Sequence, residues 1–198
     1  MLPRSFYARP APDVARDLLG RVVEVEGLDG LVAVRIVETE AYAGEDDPAS
    51  HAWRGPTPRS SIMFGPPGHA YVYFSYGMHW ALNVVCAPEG RAAAVLLRAG
   101  EVLEGIEVAR SRRRAGVATA RLASGPANLA ACLGLDGASN GVDLTRASSP
   151  VRLRRGIATP DDRVAEGPRI GITRAVDVAW RYRVGGDAHV SGASSLNR

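Results

Sequence analysis

Residues 31–42 read LVAVRIVETEAY, and this stretch predicts the central strand of the fold. Its β-branched residues alternate with other side chains, as expected of a half-buried strand. Because neighbouring side chains point to opposite faces of a strand, the apolar residues 32, 34 and 36 share a face with Glu38, Glu40 and Tyr42. The two acids follow where the apolar run ends, about 6.6 Å apart along the backbone if no bulge intervenes. In an arbitrary sequence, two acids at a strand end would more often simply face water.

Length and composition favour a single domain over residues 1–198, because a chain with 46% apolar residues can fill one core. The sequence has no run of about 18 apolar residues, and its start, MLPRSFYARP, lacks the apolar core of a signal peptide. Cys86 and Cys132 are far apart in sequence, which argues against a disulfide framework and a structural zinc site. We therefore expect a reduced, cytoplasmic protein with no membrane partner and with both cysteines buried.

The basic residues are all arginines: the chain has 24 of them and no lysine. The net charge of +3 is mild, and alone it is weak evidence for a polyanionic partner. Genome base composition is the simpler cause of the missing lysine. The chemical consequence is that no side-chain amine can form a Schiff base, so imine chemistry would need the N-terminal amine.

The remaining pattern predicts short strands and helices without a βαβ rhythm, which indicates an α+β fold. Predicted helices cover residues 11–19, 101–114 and 124–134. Predicted strands cover residues 21–26, 31–42, 71–85 (a hairpin), 93–98, 151–155, 169–172 and 180–184. We expect one mostly antiparallel, curved β-sheet with flanking helices and a protruding β-hairpin, whose tip lies at Tyr76 and Gly77.

Two of the helices carry further expectations. The helix over 101–114 is expected to face inward with Leu103, Ile106 and Val108, and four arginines lie at its end, within residues 110–114. A solvated cap is the plain interpretation of these arginines, and a phosphate contact is the alternative. The helix over 124–134 is expected to use Ser124 as its cap and to end at Gly134.

Two long loops are also predicted. Residues 43–69 are rich in proline and glycine and have no periodicity, and structureless loops of that length are usually functional or disordered. With His51, Trp53 and Met63, this loop is too apolar for disorder. Residues 155–168 are predicted to form a polar loop.

Most candidate functional side chains also have a plain structural interpretation. The histidines show no metal-ligand spacing, so no metal is expected. Tyr73 could be an ordinary core aromatic, whereas Tyr76 beside a glycine at a hairpin tip is harder to bury, which favours insertion into a minor groove. The tryptophans are assigned to packing: Trp53, Trp80 and Trp180.

Six ordered stretches cover nearly the whole chain and together carry a resemblance. They are RIVETEAY (35–42), HAWRGPTPRSSIMF (51–64), YVYFSYGMHWALN (71–83), AVLLRAGEVLEG (94–105), GPANLAACLGL (125–135) and GPRIGI (167–172). In this order they resemble the alkyladenine (3-methyladenine) DNA glycosylase family. One departure is Ser60, where that family's pattern is expected to have asparagine.

The resemblance implies an activity and a catalytic pair. Enzymes of this family flip alkylated or deaminated purines out of duplex DNA and hydrolyse the bond between base and sugar. Glu40 would activate the water, and Arg98 would lie beside the water and the phosphate of the flipped nucleotide. A metal or cofactor is not implied, and the partner is double-stranded DNA containing damaged purines, bound by a monomer.

The resemblance also implies the binding residues. The pocket would be lined by Tyr42, His51 and Tyr73, while Asn83 would screen the exocyclic groups of the purine. The residues implied to contact DNA are Tyr76, as the wedge left in the duplex, Met78 and Arg59.

The implied chemistry agrees with the residue types. Hydrolysis of an N-glycosidic bond needs a water aimed at a sugar carbon that becomes cationic, and an ionised carboxylate both orients the water and stabilises that charge. A neighbouring arginine such as Arg98 favours the ionised form inside an aromatic pocket. Spacing does not rank Glu40 above Glu38; the resemblance does, and Glu38 is expected to be a structural, hydrogen-bonded acid.

Two other functions are possible for such a chain. One is a nucleic-acid-binding module that uses its arginines on phosphates without cleaving anything; the combination of Glu40, Tyr42 and Arg98 argues against it. The other is a hydrolase of free nucleosides or small glycosides with two catalytic carboxylates, in which a wedge tyrosine would have no purpose. Zinc-dependent deamination lacks its H-x-E and P-C-x-x-C motifs.

Overall fold

The computed structural model describes residues 1–75 and 77–192, in which eight strands form one sheet. The strands are β1 (Val22–Gly27), β2 (Gly30–Tyr42), β3 (Ala70–Ser75), β4 (His79–Val85), β5 (Ala94–Glu104), β6 (Val151–Arg154), β7 (Val164–Gly167) and β8 (Arg181–Val184). The α-helices are α1 (Arg4–Tyr7), α2 (Ala11–Asp17), α3 (Ile106–Ser111) and α4 (Pro126–Leu133). All strand pairs in the described chain are antiparallel, which confirms the predicted α+β class.

The strand β2 lies at the centre of the sheet, whose path runs β3-β4-β5-β2-β1-β6. One edge of β2 pairs with β5, while the other edge pairs first with β1, through residues 30–35, and then with β8, through residues 38–40. The register against β5 shifts around Glu38, so a β-bulge lies where the second edge changes partner. The acidic end of β2 is therefore enclosed by strands on both edges.

Both predicted hairpins are confirmed: the first joins β1 to β2, and the second joins β3 to β4. Gly77, in the second turn, has a φ of 66°, a left-handed conformation that glycine adopts without a steric penalty. Tyr76, expected at the tip, lies outside the described residues.

The helix predicted over residues 101–114 is wrong in its first part, because β5 continues to Glu104. Gly105 then takes a φ of 72°, and a Cβ at this position would lie 2.0 Å from the carbonyl oxygen of Leu31, so the turn into α3 requires glycine. Strand alternation, and not a helical face, therefore orients the residues before the turn. Two residues expected to face inward are exposed instead: Leu103 and Ile106.

Two predictions about the last third of the chain are also wrong. The segment 169–172 forms no strand, because the buried side chain of Arg169, paired with Asp47, joins it to the end of β2 in place of a backbone ladder. The polar loop predicted over 155–168 contains a 3₁₀ turn and β7, which pairs with β8. The strands predicted at 151–155 and 180–184 are confirmed as β6 and β8.

The helix α4 was predicted correctly except for its cap. It ends at Gly134, which has a φ of 70°. At its start the N-cap position is Gly125, which makes no side-chain capping bond, and the Ser124 hydroxyl donates instead to the carbonyl oxygen of Val190.

Packing of two helices on the sheet completes the core. The helix α2 contacts β2, β5 and β8, while α4 contacts β4 and β5. Cys86 and Cys132 are buried and free, as expected, and burial raises the pKa of the Cys132 thiol to about 11. Within the described residues, every helix is too short or too polar to cross a membrane.

Candidate active site

Three strands bring the acidic end of β2 together with two arginines. Glu38 and Glu40 both contact Arg98 of β5, and Glu38 also contacts Arg181 of β8. Both carboxylates are 0% exposed, so the alternative in which they face water is wrong. These four residues are called the carboxylate network below.

Glu38 is surrounded by protein donors. Its Oε1 accepts hydrogen bonds from the Nε atoms of Arg98 (3.0 Å) and Arg181 (2.7 Å), and its Oε2 accepts from the backbone N–H of Ser191 (2.7 Å). These contacts agree with the expectation that Glu38 is a hydrogen-bonded structural acid.

Glu40 is held by three donors of different kinds. Its Oε2 accepts from the Tyr42 hydroxyl (2.9 Å) and from Nη1 of Arg98 (3.1 Å), while its Oε1 accepts from the backbone N–H of Ile170 (2.7 Å). An ionised carboxylate offers about four acceptor positions. The described residues fill three of them, and one position on Oε1 is left for a further donor.

The protonation states of the two side-chain donors follow from their surroundings. Burial alone would lower the pKa of Arg98, but the charges of Glu40 and Glu38 outweigh it and raise that pKa. Burial raises the pKa of Tyr42, and the charge of Glu40 raises it further. Arg98 is therefore a permanent cation beside Glu40, and Tyr42 is a neutral hydroxyl donor.

A second buried ion pair lies next to the carboxylate network. Arg169, the residue before Ile170, donates through both terminal nitrogens to Asp47. With this pair included, three buried carboxylates face three buried guanidiniums: Glu38, Glu40 and Asp47 against Arg98, Arg169 and Arg181. The buried charges cancel, which limits the large cost of removing ions from water.

A cavity of about 680 Å³ opens beside the network, within the size range of small-molecule sites. Its wall brings together six of the residues expected in the site: Tyr42, His51, Arg59, Tyr73, Asn83 and Arg98. Glu40 itself is not part of the cavity wall. It is hydrogen-bonded to two residues that are, Tyr42 and Arg98, and lies behind them. Much of the remaining wall comes from the loop 43–69 and from residues 170–174.

One part of the cavity wall is aromatic. Nδ1 of His51 lies 2.9 Å from the Tyr71 hydroxyl, and the His51 ring packs edge-on against Tyr73 with 4.7 Å between ring centroids. The guanidinium of Arg59 lies 4.5 Å from the centroid of Tyr73. Burial against these rings, together with the charge of Arg59, lowers the pKa of His51 to about 4, so this imidazole is neutral at pH 7.

Asn83 is fixed in the same wall. It lies opposite Tyr71 in the β3–β4 ladder, and its Nδ2 donates to the carbonyl oxygen of Tyr71 (3.1 Å). The amide is buried and anchored, so its position at the cavity is set by the sheet and not by a mobile loop.

The remaining expected contact residues lie at the edge of the site. Met78 is 67% exposed beside the hairpin tip and is not in the cavity wall. Ser60, where asparagine was expected, is buried, and its Oγ accepts from the backbone N–H of Thr57 (3.0 Å). This bond closes the turn that carries Arg59.

The arginines at the end of α3 are largely used within the protein. Arg110 donates to the Thr119 hydroxyl (2.9 Å), and Arg112 binds Asp29 and the carbonyl oxygen of Cys132. The predicted alternatives were a solvated cap and a phosphate contact; for Arg110 and Arg112, two of the four arginines, these contacts show side chains bound within the protein instead. In the described chain, no group of three histidine, cysteine or acidic side chains is placed to hold a metal ion.

Sequence reasoning missed several residues around the cavity. Asp47 and Arg169 form the second ion pair, but they are 122 positions apart, and no local pattern links them. Trp53 was assigned to packing, yet the guanidiniums of Arg54 and Arg174 lie 5.4 Å and 4.5 Å from its ring centroid. The GPRIGI stretch was the only available signal for this side of the site.

Comparisons with known proteins identify the family of the chain. The methylpurine-DNA glycosylase (MPG) family profile matches residues 5–188. A Streptomyces avermitilis relative named "Putative 3-methyladenine DNA glycosylase" is 50% identical over 192 residues, which cover 96% of this chain and 90% of the relative. Relatives of the same name from Burkholderia lata and Cutibacterium acnes are 48% and 49% identical; the matches cover 97% and 92% of this chain and 91% and 95% of those relatives. The chain therefore belongs to the methylpurine-DNA glycosylase family.

Proposed function

We propose that this protein excises alkylated or deaminated purines from duplex DNA by flipping the nucleotide into the cavity and hydrolysing its N-glycosidic bond. The observation that carries the proposal is the buried Glu40 carboxylate, held by Tyr42, Arg98 and the N–H of Ile170 directly behind an aromatic cavity of about 680 Å³. Family membership supports the substrate class. The products are a free base and an abasic site.

The free acceptor position on Oε1 of Glu40 binds the attacking water. Glu40 takes a proton from this water as the water oxygen bonds to C1′ of the sugar, and the electron pair of the broken C1′–N bond leaves with the purine. The ionised carboxylate also stabilises the positive charge that develops on the sugar. Arg98 supports the reaction as a permanent cation that holds Glu40 in place with a directed hydrogen bond.

The leaving base determines how much further help is needed. A purine methylated on a ring nitrogen is already cationic, so it departs as a neutral base without a general acid. A neutral lesion such as hypoxanthine needs a proton, and His51, with a pKa of about 4, carries none at pH 7. We therefore expect cationic bases to be released faster than hypoxanthine.

The cavity wall accounts for substrate selection. A cationic purine stacked on Tyr42 or Tyr73 gains about 0.5–2 kcal/mol of cation–π energy over a neutral base, or roughly tenfold in preference. Flipping a nucleotide out of the duplex costs a few kcal/mol, and this cost is smallest for damaged or mismatched bases. Pairing defects therefore add to the selection. The anchored amide of Asn83 is proposed to exclude purines with an exocyclic 2-amino group.

The hairpin β3–β4 is proposed to contact the duplex. Exposed Met78 flanks its tip, and Tyr76 is proposed as the wedge that fills the gap left by the flipped nucleotide. Arg59, beside the cavity, is proposed as a DNA contact. The reaction is proposed to stop at the abasic site, because the sequence has no lysine to attack the sugar.

Substitution of Glu40 by glutamine tests the proposal, because it keeps the shape of the side chain and removes the charge. We expect the single-turnover rate of base release from methylated duplexes to fall by about 10²–10⁴-fold. Affinity for duplexes containing an abasic site should stay within about threefold. The matched control is Glu24→Gln, which removes a carboxylate on β1 outside the site.

The substrates are duplexes that each carry one lesion, and the released bases are identified by mass. Retained turnover by Glu40→Gln would refute the role of this acid. A wild-type protein that releases no base from any duplex would refute the activity itself. Release from free nucleosides at the rate seen with duplexes would identify a nucleoside hydrolase instead.

A further inference from the structure

A buried ion pair ties together two loops that line the cavity. Asp47 belongs to the loop that carries His51, and Arg169 belongs to the segment between β7 and β8. Arg169 donates from Nη1 (2.5 Å) and Nη2 (2.9 Å) to the two oxygens of Asp47, and both side chains are fully buried. Two parallel hydrogen bonds fix the direction of the arginine as well as its distance.

Arg169 is also fixed against the end of β2. Its Nη1 donates to the carbonyl oxygen of Ala41 (2.9 Å), and its guanidinium carbon lies 4.8 Å from the ring centroid of Tyr42 and 5.3 Å from that of Trp180. The buried Nε of Arg169 has no hydrogen-bond acceptor among the described residues. The two rings therefore cover the part of the guanidinium that makes no hydrogen bond.

The segment 168–174 depends on this anchor. In the described chain, no backbone–backbone hydrogen bond joins the segment to other residues. Apart from the bonds of Arg169, its polar contacts are the 2.7 Å bond from the Ile170 N–H to Glu40 and the stacking of Arg174 on Trp53. The donor that faces Glu40 is therefore positioned mainly by the side chain of the preceding residue.

We propose that Arg169 and Asp47 are positioning residues for base excision: their ion pair holds the backbone N–H of Ile170 on Oε1 of Glu40 and so orients the carboxylate toward the water. The proposal rests on the proposed role of Glu40. Stability alone does not account for the pair, because apolar residues of similar volume in place of a buried ion pair are often neutral or stabilising. Apolar side chains could not fix the loop with directional bonds.

Arg169→Lys is the main test, because lysine keeps the charge and loses the two-point contact. Asp47→Asn is the second variant. The matched control is Asp46→Asn, which removes the adjacent but exposed acid that binds Arg91 at 3.4 Å. Three quantities are measured in the full chain: hydrogen exchange of the Ile170 amide, affinity for abasic-site duplex, and the plateau rate of single-turnover base release.

For Arg169→Lys, we expect the Ile170 amide to exchange at least about tenfold faster while β2 amides keep their protection. The plateau rate should fall about 10- to 100-fold, with affinity for abasic-site duplex within about threefold. Asp46→Asn should match the wild type in all three measurements.

Amide exchange and a rate of base release that both stay at wild-type values in Arg169→Lys would overturn the proposal. A rise in exchange shared by the β2 amides would overturn it too, because it would indicate general destabilisation. If Asp47→Asn does not fold, the measurements on Arg169→Lys alone test the proposal. Should the wild type release no base, the proposed function fails, and amide exchange still decides whether the pair positions Ile170.

Discussion

Two clusters of glutamate and arginine lie on the same sheet and share one feature of their bonding, but they differ in their surroundings. In each, one glutamate accepts from the Nε atoms of two arginines, at 2.6–2.9 Å for Glu24 of β1 and at 2.7–3.0 Å for Glu38 of β2. The arginines are Arg152 and Arg154 in the first cluster and Arg98 and Arg181 in the second. Local sequence alone could not distinguish them.

Access to water separates the two clusters. The side chains of Arg152 and Arg154 are 16% and 35% exposed and also bind acids at the surface, whereas Arg98 and Arg181 are 8% and 3% exposed. Water and salt screen the first cluster, so losing one charge there costs little. In the second cluster the same loss leaves a buried charge uncompensated. An ion pair of this second kind beside a cavity is suited to chemistry.

The largest expected effect is on stability, in a paired substitution of the central glutamates. Glu38→Gln should lower the free energy of unfolding by about 3–5 kcal/mol, because buried Arg181 would lose the carboxylate it pairs with and Arg98 would keep only Glu40. Glu24→Gln should lower it by about 1 kcal/mol. Denaturant unfolding of both variants at pH 7 measures the difference, and equal losses would contradict the comparison.

The next effect is on rate, in a paired substitution of the arginines. Arg98→Lys keeps the charge, but an ammonium cannot contact Glu38 and Glu40 along the two directions that the guanidinium uses. We expect the single-turnover rate of base release to fall by about 10- to 100-fold through misplacement of Glu40.

Arg154→Lys is the control for that experiment, because Arg154 binds Glu24 on the exposed cluster. Its rate should stay within about twofold of the wild type. A wild-type rate in Arg98→Lys would show that charge alone, without directed bonds, supports the site.

The comparison also explains what the sequence could predict. The alternation of residues 31–42 correctly placed Glu38, Glu40 and Tyr42 on one side of a strand, because that periodicity is local. It could not place them in the interior, since enclosure depends on β5 and β8, which are distant in sequence. From the sequence alone, the two acids therefore resembled exposed residues at a strand end. The arginine partners that enclose them lie 58 and 143 positions away in the chain.

The mistaken elements have the same origin. GPRIGI has the composition of a short strand, but it meets β2 through the side chain of Arg169, which a distant partner, Asp47, holds in place. Residues 101–104 look helical until Gly105 is seen against the backbone of Leu31. The proposed role of Asn83 came from the family resemblance alone, because no local pattern indicates it, whereas for Tyr76 the neighbouring glycine at a hairpin tip also favoured a wedge.

The smallest expected effect concerns His51, a cavity residue that, unlike the arginines of both clusters, forms no ion pair with an acid in the described chain. Its pKa is about 4, lowered by burial and by Arg59, against about 6.5 in an unfolded chain. Between pH 6.5 and pH 4 the unfolded chain therefore binds a proton that the folded protein does not, so stability falls as the pH is lowered through this range. Above pH 6.5 the two states bind the same number of protons at this site, and the effect vanishes.

His51→Asn removes this titration and keeps a polar group near the Tyr71 hydroxyl. We expect the wild type to lose more stability than the variant between pH 6.5 and pH 4, by less than about 1 kcal/mol, because water in the open cavity screens Arg59. Denaturant unfolding of both proteins at several pH values measures the difference. Parallel curves of stability against pH would contradict this prediction, as would a variant that loses more stability than the wild type. Either result would mean that a neighbouring acid balances the charge of the imidazolium, as the acids of the carboxylate network balance their arginines.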